Sequence, residues 1–171
     1  EIISYWGWPN EVQSWNWEGF EGQLMDVRVF SSYPTVRIEL NGKIIDEQPA
    51  GDDTKYIANF KVPYEPGVLR VVALENGIEV ASKELRTTGK PARIKLTADR
   101  SNIKPDRNDL SYVKVEIIDA QGYLIPDASI PVTLTVSGDG EIAGSGNSCP
   151  SDQESFNNPV CKTYYGRALV I

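Results

Sequence analysis

The stretch Asp26–Ile45, DVRVFSSYPTVRIELNGKII, decides the fold class of this chain. Apolar residues alternate with charged ones in VRV at 27–29 and again, after a polar corner, in VRIEL at 36–40. A period of two is the pattern of strands with one buried face. Asn41-Gly42 follows at once, and this pair favours a two-residue hairpin because both residues tolerate positive φ. The stretch therefore predicts an antiparallel β-sandwich.

Other turns continue the pattern along the chain. Asn76-Gly77 separates two further alternating runs and predicts a second hairpin. Asp119–Tyr123, DAQGY, predicts a turn in the last third of the chain, before another alternating run. The predicted elements are all strands and turns, and none has a helical period.

Length indicates more than one domain. The chain has 171 residues, whereas an immunoglobulin-like sandwich takes about 100. Thr87–Pro91, TTGKP, is polar, contains Gly and Pro and lies between alternating strands, so it is typical of a short linker. We therefore predict an all-β protein of two tandem immunoglobulin-like antiparallel β-sandwiches, residues 1–88 with a Trp-rich N-terminal segment and residues 91–171.

Composition excludes several classes of function. There are 24 acidic and 17 basic residues and a formal charge of -7, which argues against a nucleic-acid partner. No run approaches the roughly 18 apolar residues of a membrane span. The chain has no histidine, so Ser-His catalysis and His-metal sites are both excluded. We expect no catalytic residue, metal or cofactor in it, and its opening on Glu1 suggests a piece of a longer protein.

All four tryptophans lie within the first 17 residues: Trp6, Trp8, Trp15 and Trp17. Indole rings stack on sugars, so a carbohydrate contact is one interpretation, but packing in the core or against a neighbouring domain is favoured. Trp17 leads into the first strand and is predicted to be the most buried. At least one of the four is expected to be exposed.

The two cysteines, Cys149 and Cys161, lie in one loop rich in Gly, Pro and Asn. They are too few for a four-cysteine zinc site and too far apart for a CxxC motif. One hypothesis is a disulfide, which would contribute about 3 kcal/mol through the loop it closes. The alternative is two free thiols, and the sequence leaves both open.

Four segments resemble one known family. Trp15-Asn16-Trp17, the segment VPYEPGVLRVVALENGIEVASKELRTTGKPARI at 62–94, and the pair DAQGYLIPDA at 119–128 and VSGDGEIAGSGN at 136–147 are similar to the C-terminal β-sandwich domains of bacterial β-galactosidase-like enzymes of glycoside hydrolase family 2. The resemblance covers nearly the whole chain, although Gly146-Asn147-Ser148-Cys149 departs from the family's usual Gly-Asn-Gly step.

The resemblance implies non-catalytic accessory domains of a glycoside hydrolase, of β-galactosidase type. It implies a double-displacement mechanism in the parent protein, with its carboxylates outside this chain. Asn10-Glu11 superficially matches the family's catalytic Asn-Glu pair but lacks the surrounding pattern, so Glu11 is predicted to face solvent. The implied partner is the catalytic barrel of the parent chain, with a glycan as a further candidate, and the implied location is periplasmic or secreted in a bacterium.

A second hypothesis comes from another class of protein. The tandem sandwiches with their clustered indoles would also suit a free-standing carbohydrate-binding or cell-surface adhesion module. A barrel upstream of Glu1 would exclude that module, and a signal peptide directly before Glu1 would exclude the accessory domains.

Overall fold

The chain folds into two compact units. The structure, a computed structural model, describes residues 11–106 and 108–171. One unit ends at Thr87 and the other spans Thr88–Ile171, so the boundary falls within the predicted linker. Within the described residues the only helical element is a single 3₁₀ turn, Asp52–Thr54, and no helix is long and apolar enough to cross a membrane.

Six strands lie in the described part of the first unit, residues 11–87. They are β1 (Leu24–Phe30), β2 (Thr35–Leu40), β3 (Lys43–Pro49), β4 (Ile57–Pro63), β5 (Val68–Glu75) and β6 (Ile78–Arg86). β1 and β4 form one antiparallel sheet, and the other strands form a second sheet in the order β3-β2-β5-β6. The alternation at 36–40 places Val36, Ile38 and Leu40 in the core, fully or almost fully buried.

Both predicted hairpins form as expected. Asn41 and Gly42 have φ of 51° and 80°, and Asn76 and Gly77 have φ of 51° and 77°. Positive φ at both central residues is what a type I′ turn requires. Each turn therefore sets the pairing of the residues next to it, up to a shift in register at Ile38/Glu39 in the first hairpin and at Ala73/Leu74 in the second.

The described residues of the second unit, which exclude position 107, also form six strands. They are β7 (Arg93–Ala98), β8 (Val113–Ile118), β9 (Pro131–Thr133), β10 (Ser145–Gly146), β11 (Val160–Lys162) and β12 (Arg167–Val170). They form antiparallel sheets in the orders β10-β12-β8-β7 and β11-β9. The prediction of an all-β fold of antiparallel sandwiches is confirmed.

The cores of the two units differ in residue size. Trp15, Phe60 and Tyr64 lie in the core of the first unit among aliphatic side chains. The buried core of the second unit, as far as its residues are described, contains no aromatic side chain and is built from aliphatic residues such as Val115 and Ile117, with Cys161. The first unit therefore relies more on single large side chains.

Strand β7 forms where the alternation predicts it, but its apolar side chains are exposed. Ile94 lies opposite Ile117, and Leu96 lies opposite Val115. Residues directly opposite in an antiparallel pair share a face, so both belong to the core side of the sheet. Ile94 and Leu96 are nevertheless 52% and 64% exposed, since β7 is the edge strand of its sheet.

Candidate functional site

The segment that leads into β1 carries the two described tryptophans. Trp15 is 2% exposed and packs edge-on against the ring of Tyr64, with the ring centroids 5.2 Å apart. Its indole N–H donates to the carbonyl of Glu65 at 3.0 Å, and its own carbonyl accepts from the Thr87 hydroxyl at 2.7 Å. Trp15 is therefore a core residue with its polar atoms satisfied, and a glycan cannot reach it.

Trp17 is only half-buried, so the prediction that it would be the most buried tryptophan is wrong. Its ring packs at the surface against the edge of Phe20, with centroids 6.3 Å apart, and Phe20 is 45% exposed. A turn holds the two rings together, because the Phe20 N–H donates to the Trp17 carbonyl at 3.0 Å. We call Trp17 and Phe20 the surface aromatic pair.

Trp6 and Trp8 lie outside the described residues. Neither described tryptophan is fully exposed, so the expectation of at least one exposed indole stays a prediction for these two positions. Of the four candidate contact residues, the structure leaves only Trp17 with an accessible described ring.

Glu11 faces solvent, as predicted, and is paired. Its carboxylate lies 2.5 Å from the guanidinium of Arg28 on β1. Both side chains are partly exposed, so the pair is a surface ion pair of small energetic value. Its consequence is geometric, because it ties the start of the described chain to β1.

Within the described residues, every resolved shift in a carboxyl pKa is downward. Hydrogen bonds from backbone N–H groups, chiefly those of Tyr112 and Asn108, lower the pKa of Asp99 and Asp106 respectively. A carboxyl group that acts as general acid near neutral pH needs a raised pKa. These aspartates are instead suited to holding turns.

Asp119 is the clearest case of a structural carboxylate. It is 1% exposed and accepts three backbone N–H bonds, from Gly89 at 3.0 Å, Gln121 at 3.0 Å and Tyr123 at 2.8 Å. These bonds, with that from Gly89 the largest cause, lower the pKa of Asp119. The predicted turn at Asp119–Tyr123 is therefore stabilised from its inside and is joined to the start of the second unit.

The cysteines are two free thiols in the structure. Both line one small cavity of about 70 Å³, which Ser145 and Lys162 also border. A hydrogen bond with Ser151 lowers the pKa of Cys149, whereas burial raises the pKa of Cys161. The disulfide is not present here, and its formation under oxidising conditions stays a prediction.

The arrangement of these residues defines a class of protein. In the first unit, Trp15 lies in the core and Trp17 pairs with Phe20 at the surface. Asp99, Asp106 and Asp119 hold turns. The chain is therefore a protein of two antiparallel β-sandwich units, in which these residues serve packing and turn formation. Comparison with known proteins gives the family.

Residues 94–171 match the family model described as glycoside hydrolase family 2 C-terminal domain 5. Residues 22–81 match a separate model for a domain of unknown function. The chain belongs to glycoside hydrolase family 2 and corresponds to its C-terminal accessory β-sandwich domains, as the resemblance implied.

Similar proteins match this chain over most of its length. A protein named β-galactosidase from Bacteroides ovatus is 40% identical over 92% of this chain. One named β-glucuronidase from Formosa agariphila is 29% identical over 80% of it. A solved glycosyl hydrolase family 2 structure from Bacteroides cellulosilyticus superimposes over 99% of the chain with a TM-score of 0.92 and 37% identity.

The chain spans only a small part of each of these proteins. It covers 18% of the Bacteroides ovatus protein, 14% of the Formosa agariphila protein and 23% of the solved Bacteroides cellulosilyticus chain.

Proposed function

We propose that this chain is an accessory part of a longer family 2 enzyme that hydrolyses β-galactosides, and that it contributes structure rather than catalytic residues. The observation that carries the proposal is the 40% identity over 92% of the chain to a protein named β-galactosidase, of which it covers 18%. The lower identity of 29% to a protein named β-glucuronidase supports a galactoside over a glucuronide as substrate. A periplasmic or secreted location is implied by the family resemblance and stays a prediction.

The proposal that the catalytic residues lie outside this chain can be tested by assaying the 171-residue chain beside the longer protein that contains it. The chain alone is expected to give no turnover of nitrophenyl β-D-galactoside, because retaining glycosidases need two carboxylates about 5 Å apart on either side of the sugar bond. The longer protein is expected to hydrolyse the galactoside faster than the glucuronide. Turnover by the chain alone, or preference for the glucuronide, would contradict the proposal.

We further propose that the surface aromatic pair packs against the catalytic barrel of the parent chain. Exposed aromatic side chains are enriched where protein surfaces meet. Trp17 and Phe20 form such a surface, at the turn that leads into β1. The second candidate is stacking on a glycan, which the same two rings would also permit.

Trp17→Ala in the longer protein distinguishes these two roles. If the pair packs on the barrel, the variant is expected to lower the Tm of the barrel by a few degrees and to leave KM for oligosaccharides unchanged. If the pair stacks on sugar, KM for oligosaccharides rises while KM for the nitrophenyl galactoside and the Tm stay as in the parent. Phe30→Ala, at an exposed aromatic ring on β1, is the matched control.

A further inference from the structure

The two cysteines are attached to different sheets of the second unit. Cys161 belongs to β11, where it pairs with Val132 of β9. Cys149 lies in the loop that follows β10, a strand of the other sheet. Both cysteines border the same cavity of about 70 Å³. A covalent bond between them would therefore link the two sheets of this sandwich.

The side chain of Asn147 connects the surroundings of the two cysteines. Its Oδ1 accepts the backbone N–H of Cys149 at 2.7 Å, and its Nδ2 donates to the carbonyl of Lys162 at 2.8 Å. The same carbonyl accepts the thiol of Cys161, with Sγ 3.7 Å from the oxygen. One amide group and its hydrogen bonds therefore span the space between the Cys149 backbone and the Cys161 sulfur.

The two thiols differ in how easily a reagent in solution reaches them. Cys149 is half-buried and begins a turn, in which the Asp152 N–H donates to its carbonyl at 3.2 Å. Its Sγ lies 3.4 Å from the hydroxyl of Ser151, and this hydrogen bond lowers the pKa of Cys149. Cys161 is 6% exposed within its strand, and burial raises its pKa. Since the thiolate is the nucleophile, Cys149 is the thiol that reacts first.

We propose that Cys149 and Cys161 form a thiol–disulfide exchange site, at which a low-molecular-weight disulfide such as oxidised glutathione converts the two thiols into a bond between the sheets. The Cys149 thiol gives its proton to water, and its sulfur attacks one sulfur of the reagent. The S–S bond of the reagent breaks, and one half leaves as a thiolate that takes a proton from water.

The second step closes the bond within the protein. Cys161 gives its proton to solvent and its sulfur attacks Cys149 Sγ, so that the second half of the reagent leaves and is protonated in turn. Two protein thiols are thereby oxidised to one disulfide, and the reagent is reduced to two thiols. Cys149 is the attacking residue and Cys161 the resolving one.

The bond would enclose residues 150–160 in a covalent loop. Closing a loop lowers the entropy of the unfolded chain, so the oxidised second unit is expected to be more stable than the reduced one. This inference goes beyond the proposed function and does not rest on it, because it involves neither the catalytic barrel nor a sugar.

The test follows the mass of the 171-residue chain during incubation with oxidised glutathione at about pH 8, where an exposed thiol is partly ionised. The unmodified chain is expected to lose two hydrogens and to retain no glutathione. Cys161→Ser should stop at a mixed disulfide that carries one glutathionyl group. Cys149→Ser should react on the order of tenfold more slowly, because its remaining thiol is buried.

Scanning calorimetry provides the second measurement. Oxidation of the unmodified chain should raise the Tm of the second unit by about 5 °C or more, and dithiothreitol should reverse the change. The double variant Cys149→Ser/Cys161→Ser is the matched control, and its Tm should respond to neither reagent. Far-ultraviolet circular dichroism checks that all three variants keep the strand content of the unmodified chain.

Three results would overturn the proposal. An unmodified chain that stops at the mixed disulfide, or that forms the internal bond only in urea, would show that the fold does not bring the two sulfurs together. Equal rates in the two single variants would contradict the assigned order of attack. A disulfide-linked dimer as the main product would place the partner of Cys149 in a second chain.

Discussion

Replacing Trp15 by alanine is expected to lower the free energy of unfolding of the first unit by about 3–5 kcal/mol, the usual loss for a fully buried aromatic residue. Trp15 is 2% exposed and is the largest fully buried side chain of the described residues. The substitution removes its packing on Tyr64 and leaves the Glu65 carbonyl without the indole donor. Urea unfolding followed by far-ultraviolet circular dichroism measures the loss.

Two variants separate the components of this effect. Trp15→Phe keeps most of the ring but not the indole N–H, so a smaller loss is expected, of which about 1 kcal/mol comes from the missing hydrogen bond. Trp17→Ala removes a half-buried indole and should lower the free energy of unfolding by much less than Trp15→Ala does. A loss below about 1 kcal/mol for Trp15→Ala would show that Trp15 does not hold the core together.

The strands and hairpins could be predicted because their signals are local. Val36, Ile38 and Leu40 are buried because alternation within one strand already assigns them to one face. Asn41-Gly42 forms its turn because the two residues themselves supply the required positive φ. Neither inference needs to know which distant segment lies nearby.

Asn41 has a second role that local signals do not predict, because its partners lie far away in sequence. Its side chain accepts the Val68 N–H at 2.8 Å and donates to the Pro66 carbonyl at 3.2 Å, so the hairpin turn also fixes the start of β5. Gly67 must be glycine beside it, since it has φ of 140° and an added Cβ would lie 1.8 Å from Asn41 Oδ1. The sequence shows both motifs, but only the fold brings them together.

The order of burial of the tryptophans was mispredicted for the same reason. Trp15 and Trp17 are two residues apart, and nothing local distinguishes them. Tyr64 and Thr87, which are 49 and 72 residues away in sequence, hold the backbone of Trp15 and place its ring inside. Trp17 then lies over the turn, where Phe20 covers part of it.

Removing the Asp119 carboxylate is expected to lower the Tm of the second unit by roughly 10 °C or more, since a domain of this size is sensitive to each lost interaction. Asp119→Ala leaves the N–H groups of Gly89, Gln121 and Tyr123 without their acceptor beside a position that is 1% exposed. Hydrogen bonds to a charged acceptor contribute more to stability than bonds between neutral groups, so losing three of them at one turn is costly. Differential scanning calorimetry of the 171-residue chain measures the change, with Asp139→Ala, at an exposed aspartate, as control.

In the unmodified chain, lowering the pH should remove the stabilisation that the Asp119 carboxylate contributes. The folded pKa of Asp119 is lowered, so its stabilisation is complete above the unfolded value of about 3.9. It is lost as the pH falls below that value and through the lowered folded pKa, because the protonated form accepts fewer of these bonds. Asp119→Asn is uncharged at every pH, so its Tm should start lower at pH 7 and fall less steeply below about pH 4. Equal slopes in the two proteins would show that other carboxylates control the acid unfolding of the second unit.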